Sequence, residues 1–236
     1  MKKPLLFAFD FDHTIVQKNT DLVARSLIPE KIIIQEKKLC WTDYMKNIFV
    51  LLHKNNIQKD KIINSIQEIP GVNGIKDLLI NLHSNNCEII IISDSNSVFI
   101  DSWLKAHNLD NIVDKIFTNP AWFDEEGLLN ISPYQHQTWC HLDSENLCKG
   151  YVLEKYIKQR QSEDVTFDKI AYAGDGKNDY CPMMKLSLDD MAFPRLGYHI
   201  MKVLNDADDE KKPVAKISTW NDANDIWNII KKQYNF

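Results

Sequence analysis

Long apolar runs are missing from this 236-residue chain. Near the N-terminus, Leu5-Leu6-Phe7-Ala8-Phe9 stops at Asp10 after five residues. A secretory h-region needs ~7–15 apolar residues and a membrane-spanning helix ~20. Neither a secreted nor a membrane-embedded protein is therefore expected. Cysteine is sparse: Cys40, Cys87, Cys140, Cys148 and Cys181 are scattered and odd in number. A secreted disulfide framework is dense and even, so reduced thiols in a cytoplasmic protein are the expectation. Glycine (7) and proline (8) are too few for a collagen-like or low-complexity chain. Basic residues are not in excess either. With 28 Lys and Arg against 33 Asp and Glu, the net charge is −5, which argues against a nucleic-acid partner. What remains is globular material, 44% hydrophobic and 26% charged. The length suits one to two domains at ~150 residues each.

The apolar segments that do occur are short and continuous. Residues 5–9 are apolar throughout, and the pattern returns at 88–92 and 169–173, more weakly at 190–193 and 214–218. Continuous apolar strands mark a parallel sheet covered on both faces. Helical periodicity falls between them. Residues 73–84 align Ile75, Leu78, Leu79 and Leu82; residues 96–107 align Val98, Ile100, Trp103 and Leu104; residues 150–160 align Val152, Leu153, Tyr156 and Ile157. This alternation predicts a doubly wound α/β fold. Residues 16–70 break it with helix-like stretches at 20–28, 42–54 and 58–68, the second with Thr42 as its expected N-cap. They read as a small helical cap inserted into a core made of residues 1–15 and 71–236. A hairpin is expected around Asp124-Glu125-Glu126-Gly127, followed by a polar loop.

Ligands in such sheets bind at the carboxyl ends of the strands. Here three strand ends carry Asp10-Phe11-Asp12-His13-Thr14, Ser93-Asp94-Ser95-Asn96 and Gly174-Asp175-Gly176-Lys177-Asn178-Asp179. In extended backbone, Asp10 and Asp12 would point to one face. Two carboxylates that close repel unless a cation intervenes. Asp175 and Asp179 can add oxygens, so a hard divalent cation such as Mg²⁺ is expected. Ser93 offers a hydroxyl at a strand tip, and Lys149 a cation at a helix start. Singly, each has a plain structural reading as a turn acid, a capping serine or a surface lysine. Together they are the parts phosphoryl transfer requires: nucleophile, donor, cation and metal cage.

These four motifs resemble those of the haloacid dehalogenase superfamily. The match is closer to one family within it. Asp10-Phe11-Asp12-His13-Thr14-Ile15-Val16, Asn19-Thr20-Asp21, the stretch from Ile92 to Asp101, Phe117-Thr118-Asn119-Pro120, Cys148-Lys149 and the stretch from Gly174 to Pro182 resemble the phosphoethanolamine/phosphocholine phosphatases. Ser93-Asp94-Ser95-Asn96 and Phe117-Thr118-Asn119-Pro120 are more similar to that family's pyridoxal phosphate phosphatase branch. The resemblance implies a Rossmann-like core with a helical cap, and a small phosphomonoester as substrate. It implies Asp10 as nucleophile and Asp12 as general acid and base. Mg²⁺ would be held by the Asp10 carboxylate, the Asp12 carbonyl and Asp175, with Asp179 as a ligand or behind one. Ser93 and Lys149 would bind phosphate, and Asp21 and Asp94 would contact the rest of the substrate. For Asp21, an acid favoured by the helix dipole is the competing reading.

A phosphotransferase or mutase with the same core is the alternative, because the sequence does not choose between water and another acceptor. A receiver-like phosphoacceptor is more remote: receivers are only about 120 residues and carry no cap. A binding protein that has lost turnover would not keep every catalytic group. His136, Cys140, His141 and Cys148 are of zinc-ligand type. Relatives often carry Cys-x-x-Cys here, but Asp143 stands in place of the second cysteine. Unligated thiols are the expectation.

Overall fold

The computed structural model describes residues 1–29, 40–234 and 236. In chain order the elements are β1 (Lys2–Phe9), α1 (Thr20–Arg25), α2 (Trp41–Lys54), α3 (Lys59–Gln67), α4 (Ile75–Ser84), β2 (Glu88–Asn96), α5 (Ser97–Ala106) and β3 (Lys115–Asn119). They continue with β4 (Ala121–Phe123), β5 (Leu129–Ile131), α6 (Lys149–Ser162), β6 (Thr166–Gly174), α7 (Tyr180–Met183), β7 (Met191–Pro194), α8 (His199–Asp206), β8 (Lys216–Ile217) and α9 (Ala223–Tyr234). The six-stranded sheet runs β3-β2-β1-β6-β7-β8, and every pairing in it is parallel. β4 and β5 form the separate antiparallel hairpin, with Gly127 in its turn at φ 81°.

Alternation along each strand divides the core into two layers. Leu5, Phe7, Phe9, Ile89, Ile91, Ala171, Ala173 and Phe193 face one side, and α1–α5 and α9 contribute to that cluster. Leu6, Ala8, Ile90, Ile92, Tyr172 and Ala192 face the other, against α6, α7 and α8. This is the doubly wound α/β arrangement the apolar runs predict. Ile75, Leu78, Leu79 and Leu82 are all buried, as expected. On α5, Phe99 is fully buried where Val98 is only partly so, because Asn96 caps the helix by accepting from the Phe99 N–H at 3.1 Å.

One expectation changes. α2 begins at Trp41 behind Cys40, so Thr42 lies inside its first turn, buried, and caps nothing. The Trp41 indole donates to Asp21 at 2.7 Å, which fixes the helix start one residue before Thr42. The edge strand β3 and the helices α8 and α9 were not legible as elements.

The helical segment joins the core through two adjacent crossings. Val16 and Gly71 form an antiparallel bridge. The Gln17 N–H donates to the Pro70 carbonyl at 2.8 Å, and the Val72 N–H to the Ile15 carbonyl at 2.9 Å.

A buried ion network fastens the lower half of the sheet to α6. Glu88 is 1% exposed. Its Oε1 accepts from the Tyr156 hydroxyl at 2.7 Å and Arg160 Nε at 2.8 Å; its Oε2 accepts from Arg160 Nη2 at 2.9 Å, with Lys3 Nζ at 3.0 Å. Burial pushes the carboxyl up, but Arg160, Tyr156 and Lys3 outweigh it and hold Glu88 below the usual range. A depressed folded-state pKa stabilises above the unfolded value, ~4.3, and that stability is lost as pH falls through the folded value. Glu88→Gln is expected to cost about 3 kcal/mol at neutral pH by stranding its cations, a Tm loss of about 6–12 °C. The difference from the parent should shrink as the pH drops below about 4. Thermal melts across pH read both effects.

Candidate active site

β1, β2 and β6 lie side by side and end on the same edge of the sheet. Their ends enclose a cavity of about 160 Å³ lined by Asp10, Asp12, Ser93, Asp94, Asp175 and their neighbours. β1 ends at Phe9, but the Asp10 N–H still donates to the Ala173 carbonyl at 2.9 Å, which continues the ladder by one residue. The chain then turns. Thr14, Ile15 and Val16 donate to the Phe11 carbonyl, and His13 takes φ 55°. Asp10 and Asp12 thus converge through a turn rather than through extended backbone. The Arg195 guanidinium holds that turn by donating to the His13 carbonyl.

Lys149 opens α6 and is fully buried. Its ammonium lies 2.8 Å from Asp10 Oδ2 and 2.8 Å from Asp179 Oδ1. A lysine is stable in such a place only with carboxylates around it. The carboxylates hold its pKa well above the usual value, overcoming a burial that lowers it. The other Asp10 oxygen accepts from the Phe11 N–H at 2.6 Å. Asp179 has no accessible surface. Its Oδ1 also accepts from the Tyr172 hydroxyl at 2.7 Å, and its Oδ2 from the N–H groups of Asp175 at 2.8 Å and Gly176 at 2.7 Å. It therefore acts as the bracket that sets Lys149 and the Asp175 turn. Gly174 is required there, since a Cβ would fall 2.2 Å from Asp179 Cγ.

Negative charge is crowded. Burial pushes Asp10 up to about 7, with Lys149 opposing and Asp179 adding. Burial, then Asp179 and Asp10, push Asp175 to about 8. Asp12 is raised well above the normal range by burial, then by Asp21 and Asp10. Oxygens of Asp10, Asp175 and Asp179 lie within 4.8 Å of one another. Hard oxygen donors at this density, in a small polar cavity, fit the ligand chemistry of Mg²⁺.

The remaining candidates separate. Ser93 is buried at the cavity wall, its hydroxyl oxygen accepting from the Ser95 N–H at 3.3 Å. Asp94 lines the cavity, but its oxygens are engaged: Oδ1 by Ser144 at 3.0 Å and Asn146 at 2.8 Å, Oδ2 by Asn178 at 2.6 Å. Asp21 sits in the first turn of α1, 2% exposed and outside the cavity lining. One oxygen accepts from Trp41 and the other has no partner. Burial raises its pKa to about 7, with Asp94 adding to the rise.

Sequence reasoning missed several supporting groups. Thr20 donates to Asp12 from its N–H at 3.1 Å and its hydroxyl at 3.2 Å, and that hydroxyl meets the Ser95 hydroxyl at 2.7 Å. The general-acid candidate is thus held from the helical segment. Tyr172, Asn146 and Arg195 also went unread; Asn178 stands inside the glycine motif, which gave it no role of its own. The zinc-type set changes as well. Cys140 and Cys148 group with Cys181, without His136 or His141.

A parallel doubly wound sheet with two aspartates after its first strand and a buried lysine bridging to a glycine-aspartate turn defines a haloacid dehalogenase-type phosphatase. The family model described as "Putative Phosphatase" matches residues 5–234. The chain is 36% identical over 230 residues to pyridoxal phosphate phosphatase PHOSPHO2 of Bos taurus, covering 94% of this chain and 95% of the relative. To the Homo sapiens phosphoethanolamine/phosphocholine phosphatase it is 32% identical over 230 residues, covering 94% and 86%. A solved phosphoserine phosphatase, captured as a phospho-aspartyl intermediate analogue, aligns over 97% of this chain and 99% of its own with TM-score 0.61 at 21% identity, a likeness of fold. The chain belongs to this "Putative Phosphatase" family and is an enzyme, a phosphatase.

Proposed function

We propose that the protein hydrolyses a small phosphomonoester through an aspartyl-phosphate, and that its preferred substrate is pyridoxal 5′-phosphate. The observation that carries the chemistry is the Lys149 ammonium, fully buried and 2.8 Å from Asp10, which lines the cavity together with Asp12. Asp10 attacks phosphorus as the bond to the leaving oxygen breaks, and Asp12 supplies that oxygen with a proton. Its raised pKa suits it to hold the proton until then. Asp12 then takes a proton from water, whose oxygen attacks phosphorus and releases Asp10. Covalent catalysis of this kind divides one hard step into two. Lys149 opposes the burial that favours protonation of Asp10 and, with two of its three donors used, has one left for a phosphoryl oxygen, beside the Ser93 hydroxyl. Bound Mg²⁺ would neutralise phosphoryl charge, with Asp10, the Asp12 carbonyl and Asp175 as its ligands. Asp179 is engaged by four donors and is assigned to positioning.

Residues 16–70 serve as the cap over a core of residues 1–15 and 71–236. A cavity of about 160 Å³ receives the phosphate, and the organic part lies beneath the cap. Asp94, with Asp21 behind it, gives that side a negative field suited to a pyridinium or an ammonium. The higher identity to the pyridoxal phosphate phosphatase and the Ser93-to-Asn96 motif favour the pyridinium. Phosphoethanolamine and phosphocholine are the second reading, supported by the 32% relative. The described residues contain no helix long and apolar enough to cross a membrane. All five cysteines are free; a cytoplasmic location is part of the proposal.

Phosphate release should be measured from pyridoxal 5′-phosphate, phosphoethanolamine, phosphocholine, phosphoserine and an aryl phosphate, with Mg²⁺ and with EDTA. Pyridoxal 5′-phosphate is expected to lead in kcat/KM by at least ~10-fold, and EDTA should abolish turnover. A lead for phosphocholine or phosphoethanolamine would transfer the assignment to the second reading. Turnover that survives EDTA would remove Mg²⁺ from the mechanism.

A further inference from the structure

The loop from residue 132 to 148 links β5 to α6 without helix or strand. Loops of this length inside a compact domain are uncommon, and those that are ordered generally carry function. This one delivers two thiols to a third. Cys140 Sγ lies 3.5 Å from Cys181 Sγ, and Cys148 Sγ lies 3.8 Å from the same atom. The three sulfurs are all within 4.8 Å of one another. Cys148 and Cys181 are buried, and Cys140 is half-buried. Ligands bound tetrahedrally to Zn²⁺ at ~2.3 Å stand about 3.8 Å apart, the spacing seen here. A disulfide would need ~2.05 Å.

Two further features belong to a built site. Gly150 leaves room for the Cys181 thiol, since a Cβ there would stand 2.6 Å from its sulfur. Asp143 lies close enough to Cys148 and Cys181 for its charge to act on both. Its Oδ2 accepts from the Lys149 N–H at 2.6 Å.

We infer that Cys140, Cys148 and Cys181 form a structural site for a thiophilic divalent cation, Zn²⁺, separate from the phosphoryl-transfer centre, with water as the fourth ligand. Each thiol that binds releases its proton to solvent, so three thiolates meet the cation. The site pins the long loop to α7. It also sits one residue before Lys149 and two after Asp179 in sequence, the pair that brackets Asp10. Zinc therefore fixes the frame of the active site without touching substrate.

The full chain should be expressed with zinc in the medium, desalted without chelator, and its metal content measured by mass spectrometry. About one equivalent of zinc per chain is expected. Cys140→Ser, on the half-buried thiol, should lower that at least ~10-fold with the circular-dichroism spectrum retained. Asp10→Asn should keep the zinc, which separates this site from the carboxylate cluster. Replacement by Co²⁺ should give thiolate-to-metal absorption in the near ultraviolet. The inference is overturned if the parent takes up less than about a tenth of an equivalent from zinc-buffered solution. It is overturned equally if Cys140→Ser retains full zinc, or if the protein purifies with a Cys140–Cys181 disulfide. None of these readouts depends on turnover, so they stand apart from the phosphatase assays.

Discussion

Asp10→Asn is expected to lower phosphate release at least ~10³-fold, in keeping with loss of a covalent nucleophile. The substitution keeps shape and volume and removes only the attacking charge. Lys149 would lose one of its two carboxylates but keep Asp179 at 2.8 Å, so the protein should remain folded. The control is a melting curve with and without inorganic phosphate. A folded variant that still turns over within ~10-fold of the parent would remove Asp10 as nucleophile. In the parent, rapid quenching during turnover should trap phosphate on the protein in acid-stable, hydroxylamine-sensitive form. Asp10→Asn should trap none.

The second large effect belongs to Lys149→Met. Methionine matches the stem of lysine but leaves Asp10 and Asp179 without their shared cation. Breaking a buried ion pair on one side costs about 3–5 kcal/mol, a Tm loss of about 6–20 °C for a chain of this size. Activity should fall at least ~10³-fold as well, because Asp10 loses the charge that opposes its burial and the phosphoryl group loses a donor. Asp179→Asn distinguishes the two roles. It keeps an acceptor toward Lys149 but sets its NH2 against the N–H groups of Asp175 and Gly176, so it should lose stability while retaining the Lys149–Asp10 pair and more activity than Lys149→Met. A Lys149→Met protein as stable as the parent would mean that the cation is dispensable to the fold.

The sheet and its site were legible in unequal parts. Residues 5–9, 88–92 and 169–173 announced themselves because each strand is buried on both faces and needs no polar side. The motifs at their ends were readable for the same reason, since a strand end in this fold is a fixed address. β3 escaped because an edge strand of sequence Lys-Ile-Phe-Thr-Asn has too few apolar residues for a run. Asp10 and Asp12 both reach the cavity, but through a turn and not the extended backbone expected of them, and the Asp12 carboxylate stays outside the Asp10–Asp175–Asp179 group. A turn closed on the Phe11 carbonyl leaves no pattern in hydrophobicity. The groups that hold the site lie far away in sequence: Asn178 is 84 positions from Asp94, and Asn146 is 52. Cys181 was hidden similarly, because its partners come from a loop 33 and 41 positions earlier. Spacing motifs detect ligands on one segment and miss those assembled by folding. Thr42 shows the reverse error, in which a sound local cap rule lost to a long-range hydrogen bond from Trp41 to Asp21.

The bridge between Val16 and Gly71 has a meaning for how this protein could be rebuilt. The inserted helices leave and rejoin the chain at neighbouring points, while Phe49, Ile62 and Ile66 pack into the same apolar cluster as Phe7 and Phe99. Closing a longer or shorter insert across so narrow a gap changes the loop entropy by only ~0.6 kcal/mol per doubling of length. As the proposed cap, the segment can be exchanged as a unit, provided that the replacement refills the apolar cluster it shares with the sheet. A different helical cap grafted between residues 16 and 70 should leave the sheet intact and alter which leaving groups are accepted. Such a graft must still present a hydroxyl and an N–H to Asp12, the two bonds Thr20 makes now. Selectivity could then change by exchange of a whole module, with the catalytic floor untouched.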